Sequence, residues 1–457
     1  MSLIRSISGL RGFLGKGLTP HSIARHVVAF AEYTGYQPIV IGRDGRPSGE
    51  WIEQIVIGTL IACGVKVSSL GIVPTPTVQM AVEKSDAAGG ISITASHNPA
   101  EWNGLKFLNS EGVFLGSDEC STFYALADGD SGTFADYKGL GTVTDRSSFV
   151  QTHLNATLAL PFLQKEAIPK RKFSVVVDAV NASGSFIVPE LLHKLGCSVI
   201  PLHCDGSGEF PHTPEPLPVN LTSLCDAVRE TEADFGIAVD PDADRLVLID
   251  ERGEPIGEEY TITLITDFMM GWEREEERES PIGVVNLSTT RAVEDVAARY
   301  GGRIVRTAVG EINVVERMKK EGAVIGGEGS GGVILPALHY GRDSLAGIAI
   351  TLAALLKYGG TLSELRASLP NYVIVKKKVP LDAENDPVKL FEEIRTSSQD
   401  AVSTNSTDGL RVDFEKSWVH LRTSNTEPIL RIIAEAPTRE EAEELAARYE
   451  KMVVGNR

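Results

Sequence analysis

The sequence predicts an α/β protein: three similar α/β units with mixed, mostly parallel sheets, closed by a C-terminal α+β domain. Three observations carry this. One cadence, an apolar strand, a polar turn, a helix ending near Gly and a new Val/Ile strand, occurs three times in chain order. Residues 370–457 are patterned differently. The 457-residue length exceeds what one hydrophobic core organises. In the first unit "QPIVIGRD" (37–44) leads through a helical segment to "CGVKVSSLG" (63–71). In the second "FSVVVDAVNASG" (173–184) leads through "ELLHKLGCSVIPLH" (190–203). In the third "IGVVNLSTT" (282–290) leads through "AVEDVAARYGGRIVRTA" (292–308). This is the βαβ signature of parallel pairing. "GWEREEERESP" (271–281) reads as a solvated helix end and loop, and "LAGIAITLAALL" (345–356) as a core helix too short to span a bilayer. The final segment offers four strands, "VIVKKKV", "GLRVDF", "SWVHLRT" and "ILRIIAEA", then the amphipathic helix "REEAEELAARYEKMVV". The expected domains are 1–150, 151–255, 256–369 and 370–457.

A net charge of −18 argues against nucleic-acid and anionic-membrane partners, so an anionic substrate must be met by local Arg and Lys. Five scattered cysteines without a C-x-x-C pair fit buried thiols in a reducing cytoplasm. The N-terminal stretch lacks a signal-peptide core, so a soluble cytoplasmic protein is expected.

Four motifs carry chemistry. In "GGISITASHNPAEWNGLKF" (89–107) a buried strand delivers Ser96 and His97 into an Asn-Pro turn, with Lys106 close behind. A turn or N-cap serine is the plain reading, and a serine nucleophile the functional one. The absence of flanking glycines disfavours an α/β-hydrolase elbow. In "FGIAVDPDADRLVLID" (235–250) Asp240, Asp242 and Asp244 alternate, so an extended loop would project three carboxylates to one side. Like charges about 4 Å apart repel by roughly 4 kcal/mol per pair at an effective dielectric near 20, which calls for a hard cation such as Mg²⁺. An EF-hand needs Gly at its sixth position, where this chain has Arg245, and the flanks here are strand-like. A surface Asp-rich turn is the alternative. "GGEGSGGVI" (326–334) lets backbone lie against a ligand, with Glu328 and Ser330 suited to polyol hydroxyls, or is simply a Gly-rich turn. "RTSNTEPILRI" (422–432) clusters Arg422, Ser424, Asn425, Thr426 and Arg431, donors suited to a phosphate or to a structural turn. Phosphoryl transfer on a sugar is the common denominator.

At these motifs the sequence resembles the α-D-phosphohexomutase family, which includes phosphoglucomutase/phosphomannomutase and phosphoglucosamine mutase. "TASHNP" resembles its phosphoserine loop, "DPDADR" its metal loop, "GEGSG" its sugar loop, "RTSNTEP" its phosphate loop and "SISGLRG" its N-terminal opening. The resemblance spans the chain and keeps the motif order. It implies four domains around a central cleft, and an isomerase that moves phosphate between the 6- and 1-positions of a hexose through phospho-Ser96 and a 1,6-bisphosphate. It further implies one Mg²⁺ on Asp240, Asp242 and Asp244 with the Ser96 phosphate, and a glucose or hexosamine 1,6-bisphosphate activator. Arg11, His97 and Lys106 would surround the phosphoryl group, Lys106 as general acid/base. Arg245, Gly310, Glu328, Ser330, Arg422, Ser424, Asn425, Thr426 and Arg431 would bind substrate. "NLSTT", "AVGEINV" and "LHYGRDSLAG" are similar to archaeal-type phosphoglucosamine mutases, whereas "SNTEP" is the form common in the mannose/glucose enzymes. Gly332 stands where many relatives carry His, so one polar contact is expected to be missing. Glucosamine phosphate is the expected substrate and a monomer or homodimer the expected state. A sugar-phosphate phosphatase and a non-catalytic phosphosugar-binding protein are the competing classes.

Overall fold

The computed structural model describes residues 3–129, 132–164, 166–381, 386–423 and 429–455. Among them are four sheets. The first has seven strands, in the order Ile4–Ser6, Gly9–Phe13, Trp102–Leu108, Gly89–Ile93, Ile39–Arg43, Val67–Ile72 and Val143–Asp145. The second runs Leu246–Ile249, Phe235–Val239, Ser174–Asp178, Ser198–Leu202, and the third Arg303–Thr307, Ile282–Asn286, Ile325–Glu328, Gly332–Ile334. The middle four strands of the first sheet share one plan with the second and third. Two strands joined by a helix pair in parallel, a third strand adds in parallel, and a short turn folds the chain into an antiparallel fourth. That turn is the Ser96 segment in the first unit, the Asp240–Asp244 segment in the second and the Gly-rich segment in the third. The three-fold cadence of the sequence is this plan, so three motifs stand at equivalent places, at the carboxyl ends of interior strands where α/β folds gather ligands.

The fourth sheet is wholly antiparallel, Val373–Pro380, Ile429–Ala436, Trp418–Thr423, Leu410–Asp413 and Ser403–Asn405, covered by Arg439–Gly455. Two of its elements, Pro387–Ser397 and Ser403–Asn405, were not expected from the sequence. Apolar cores run across unit boundaries. One joins Met80, Val175, Leu264 and Leu345, and another joins Val40 and Val78 to Val284 and Ile312. The fourth domain keeps a core of its own around Leu410, Leu421, Ile432 and Tyr449. Helix Ser344–Tyr358 is buried from Ser344 to Leu355, as its apolar run predicts, and residues 274–280 are exposed. Among the described residues no helix is long and apolar enough to cross a membrane.

Candidate active site

Strand Gly89–Ile93 ends in a turn that buries Ser96 with φ of 51°, a left-handed conformation costly for a residue with a Cβ. A frame of buried polar groups holds it there. The Ser96 amide donates to Thr94 Oγ1 at 2.8 Å, and the Arg46 guanidinium donates to the Ser96 carbonyl. Asp44 pairs with Arg46 at 2.8 Å and accepts the Thr94 hydroxyl at 2.6 Å. Sequence reading missed Asp44 and Arg46. Their signal was the charged run "GRDGR" at the carboxyl end of the first parallel strand.

The antiparallel return strand supplies Lys106, opposite Ser92 in register. Its neighbour Gly9–Phe13 sets Arg11 opposite Gly104, where a Cβ would stand 2.2 Å from the Leu10 carbonyl oxygen. That close approach explains the glycine of "NGLK". Arg11 donates to Asn98 Oδ1 at 3.2 Å, in the Ser96 turn.

The aspartates converge differently from the extended loop expected. Ala243 is left-handed at φ 50°, and the amides of Asp244 and Arg245 fold back onto Asp240 Oδ1 at 3.2 Å. A tight turn gathers the carboxylates because an extended chain would space alternate side chains by roughly 7 Å. One oxygen from each lies within 4.8 Å of the others, and all three residues are buried. Ser96 Oγ donates to Asp240 Oδ2 at 3.1 Å. Lys106 Nζ donates to Asp242 at 2.6 Å and to Asp244 at 3.1 Å, and Thr75 Oγ1 donates to Asp242 at 2.7 Å. Asp242 Oδ1 and Asp244 Oδ1 are buried with no hydrogen-bond partner among the described residues. Unpartnered carboxylate oxygens in an all-oxygen cluster fit a hard divalent cation.

The electrostatics follow the crowding. Burial, then Asp244 and Asp242, pushes Asp240 well above the usual carboxylate range. Burial also works upward on Asp244, but Arg342, Lys106 and Arg245 outweigh it and hold the group well down. For Lys106 burial works downward, and Asp242 and Asp244 overcome it, keeping the ammonium charged. The Arg245 guanidinium, followed by burial and Arg11, holds His97 well below its ordinary value, so its imidazole is neutral near pH 7. His97 Nδ1 lies 3.3 Å from Ser96 Oγ, and Arg245 Nε lies 3.9 Å from both Asp240 and Asp244.

A cleft lined by Arg11, Lys106, Arg245, Gly310, Glu328 and Arg342 opens beside this cluster. Glu328 accepts from Asn286 Nδ2 at 2.9 Å and from the Gly310 amide at 3.3 Å. Gly310 has φ of 126°, a conformation that favours glycine. Ser330 is half-buried in the turn beyond Glu328. The expected gap at Gly332 is filled from elsewhere: a Cβ there would stand 2.3 Å from Arg342 Cδ. Arg342 reaches Asp244 at 2.6 Å, Glu328 at 2.7 Å and Glu311 at 2.9 Å, tying the aspartate turn to the Gly-rich turn. Sequence reading did not single it out.

In the fourth domain Arg422 and Arg431 face one another across adjacent strands. Arg422 Nε lies 3.6 Å from Asp408, whose carboxylate also takes the Val309 amide at 3.0 Å beside the cleft. Ser424, Asn425 and Thr426 lie outside the described residues.

Comparison with known proteins agrees with this organisation. Family models for phosphoglucomutase/phosphomannomutase match in order: α/β/α domain I over residues 3–131, domain II over 151–253, domain III over 258–372 and the C-terminal domain over 374–452. The chain is 34% identical over 449 residues to a probable phosphoglucosamine mutase of Methanopyrus kandleri, covering 98% of this chain and 96% of the relative. It is also 34% identical over 442 residues to a phosphoglucomutase/phosphomannomutase of Thermococcus kodakarensis, covering 95% of each. A solved phosphoglucomutase/phosphomannomutase family protein from Burkholderia thailandensis superposes with a TM-score of 0.84 at 26% identity over 98% of both chains. With four matching domains in order and relatives of this identity over nearly its whole length, the chain belongs to the phosphoglucomutase/phosphomannomutase family.

Proposed function

We propose that this isomerase interconverts hexosamine 6-phosphate and 1-phosphate, glucosamine foremost, through a phosphorylated Ser96. The observation that carries the reading is a buried serine hydroxyl 3.1 Å from one carboxylate of a triad whose other two members hold Lys106. Phospho-Ser96 would transfer its phosphoryl group to the free C1 or C6 hydroxyl. The bond from phosphorus to Ser96 Oγ breaks as the one to the sugar oxygen forms. The resulting 1,6-bisphosphate turns end for end and returns its other phosphoryl group to Ser96. Lys106, charged beside the aspartates, gives a proton from Nζ to Ser96 Oγ as that oxygen leaves phosphorus, and the amine so formed takes the proton released by the attacking sugar hydroxyl. Arg11, His97 and Arg245 surround the phosphoryl oxygens. Glu328 and Ser330 take sugar hydroxyls beside Gly310. Arg422 and Arg431, with Ser424, Asn425 and Thr426, hold the phosphate that does not react.

Asp240, Asp242 and Asp244 would hold one Mg²⁺, which when bound offsets charge developing on the transferred group. Burial of Ser96, Lys106 and the triad keeps water from the phosphoserine, so transfer to sugar wins over hydrolysis. A hexosamine or glucose 1,6-bisphosphate serves as activator because it rephosphorylates Ser96. The functional units divide near residues 150, 255 and 370, and the protein works in the cytoplasm as a monomer or homodimer.

Glucose and mannose phosphates are second substrates, since the Thermococcus phosphoglucomutase/phosphomannomutase shares the same 34% identity as the Methanopyrus relative. The test is kcat/KM for glucosamine, mannose and glucose 6-phosphates with glucose 1,6-bisphosphate as activator, on wild type and Ser96→Ala. Glucosamine 6-phosphate should rank first and Ser96→Ala should abolish turnover. Turnover surviving in Ser96→Ala would remove the covalent mechanism, and hydrolysis outrunning isomerisation would replace the mutase with a phosphatase.

A further inference from the structure

The second unit carries a group of metal-ligating side chains outside the cleft. Asp178 ends strand Ser174–Asp178, His203 follows Ser198–Leu202, and His212 lies nine residues on in the next loop. His203 Nδ1 and His212 Nε2 each stand 3.0 Å from Asp178 Oδ2, and the three donors lie within 4.8 Å of one another. Donors bound at about 2.1 Å to one zinc-class ion lie roughly 3 Å apart when cis. The other Asp178 oxygen accepts the Val180 amide at 3.0 Å, leaving Oδ2 for this cluster.

Proton placement shows that the arrangement calls for a positive charge. His212 Nδ1 lies 2.8 Å from the Thr213 carbonyl oxygen, which only accepts. Nδ1 therefore carries the proton, and the neutral ring turns a lone pair from Nε2 towards a carboxylate oxygen. Only a cation at that point, a second proton or a metal ion, makes the contact attractive. A carbonyl that fixes the tautomer and aims the opposite nitrogen is the usual support of a metal-bound imidazole. The backbone is strained around the same point: Val180, Asn181 and His203 all have positive φ, at 43°, 56° and 50°. A β-branched residue in that region is a rare outlier, and such strain gathers at functional sites.

We propose that Asp178, His203 and His212 form a site for a divalent transition metal of the zinc class, distinct from the aspartate triad, that fixes loop 203–216 against the Ser96 turn. Imidazole and carboxylate together select such ions over Mg²⁺. The loop's route gives the site its purpose. The Gly208 amide donates to Asn181 at 2.7 Å, and a Cβ on Gly208 would stand 2.0 Å from the Gly45 carbonyl oxygen, so the loop lies against the first unit. Phe210 packs 4.8 Å beneath the Arg46 guanidinium that holds the Ser96 carbonyl, and Glu215 lies 3.8 Å from His97 Nε2. Both residues reach the Ser96 turn from a loop pinned by the cluster.

The test uses the full chain, stripped by chelation and titrated with Zn²⁺ in excess Mg²⁺. One Zn²⁺ per chain should bind in wild type and in Asp242→Asn, and affinity should fall at least about tenfold in His212→Gln and in Asp178→Asn. X-ray absorption at the zinc edge of wild type needs no variant, and should show two imidazoles and a carboxylate. Amide exchange across residues 205–210 should slow when Zn²⁺ binds. No binding in wild type, a shell of oxygens alone, or loss in Asp242→Asn with retention in both other variants would overturn the site. Binding without slower exchange would overturn its role in fixing the loop.

Discussion

Asp242 uses one carboxylate oxygen for Lys106 and Thr75 and leaves the other buried and unpaired. An asparagine keeps the shape and the first set of contacts while removing a charge from a crowded triad. Asp242→Asn should therefore keep its melting temperature within a few degrees and lose at least about 100-fold in kcat, with weakened Mg²⁺ activation. Calorimetry beside a Mg²⁺ titration of activity separates the two effects, and gross unfolding would assign Asp242 a structural role. Residues like this one were legible because three charges crowd into five positions, where few structural roles explain them. Arg46 and Arg342 were not. Arg46 acts on a carbonyl 50 residues away, and Arg342 on Asp244, 98 residues away, so nothing local marks either partner. The left-handed Ser96 was equally hidden, because the frame of Thr94, Asp44 and Arg46 imposes the conformation on it.

Strands and turns read more easily than side-chain partners because their signals are local. Val/Ile runs closed by helices fix parallel pairing, and repetition of the cadence fixes three like units. What the pattern underspecified was the antiparallel return, since a strand after a short polar turn reads the same whichever neighbour it joins. In the fourth domain Ser403–Asn405 was missed because it is three residues long and largely exposed, too brief to show alternation. Its neighbouring strands carry a specific liability. Arg422 and Arg431 are cross-strand partners, each with a buried Nε lacking a hydrogen bond among the described residues. Like charges directly opposite one another destabilise a sheet, and an anion bound between them reverses the sign. Arg422→Ala should raise KM for the hexose phosphate by about 10- to 100-fold, the loss of one charged hydrogen-bonding partner, with a smaller change in kcat. It should also shrink the thermal shift given by inorganic phosphate. An unchanged KM would move the phosphate site elsewhere.

Across the whole molecule, the first three units are fused by shared apolar cores, whereas the fourth meets the third through a polar seam. Arg411 donates to the Leu287 carbonyl, the Arg291 amide to Glu435 at 2.9 Å and the Val309 amide to Asp408 at 3.0 Å. Polar contacts exchange readily with water, so this seam suits a domain that opens and closes over a cleft. His420 sits in it fully buried. Its Nε2 faces the Asp408 carbonyl at 2.6 Å and so carries the proton, and its Nδ1 accepts the Ser288 hydroxyl at 2.9 Å. Burial lowers this imidazole to about 4, against an ordinary 6.5. A histidine depressed in the folded state contributes stability that is present above pH 6.5 and lost as pH falls towards 4. Over that window the loss should approach about 3 kcal/mol, read as destabilisation of the fourth domain in urea melts at stepped pH. Because protonation places an uncompensated charge in the buried seam, domain-resolved hydrogen exchange should show the seam opening before the fused units respond. His420→Gln, which keeps a donor and an acceptor but does not titrate, should flatten the pH slope. An equal slope in that variant would assign the acid sensitivity to another group.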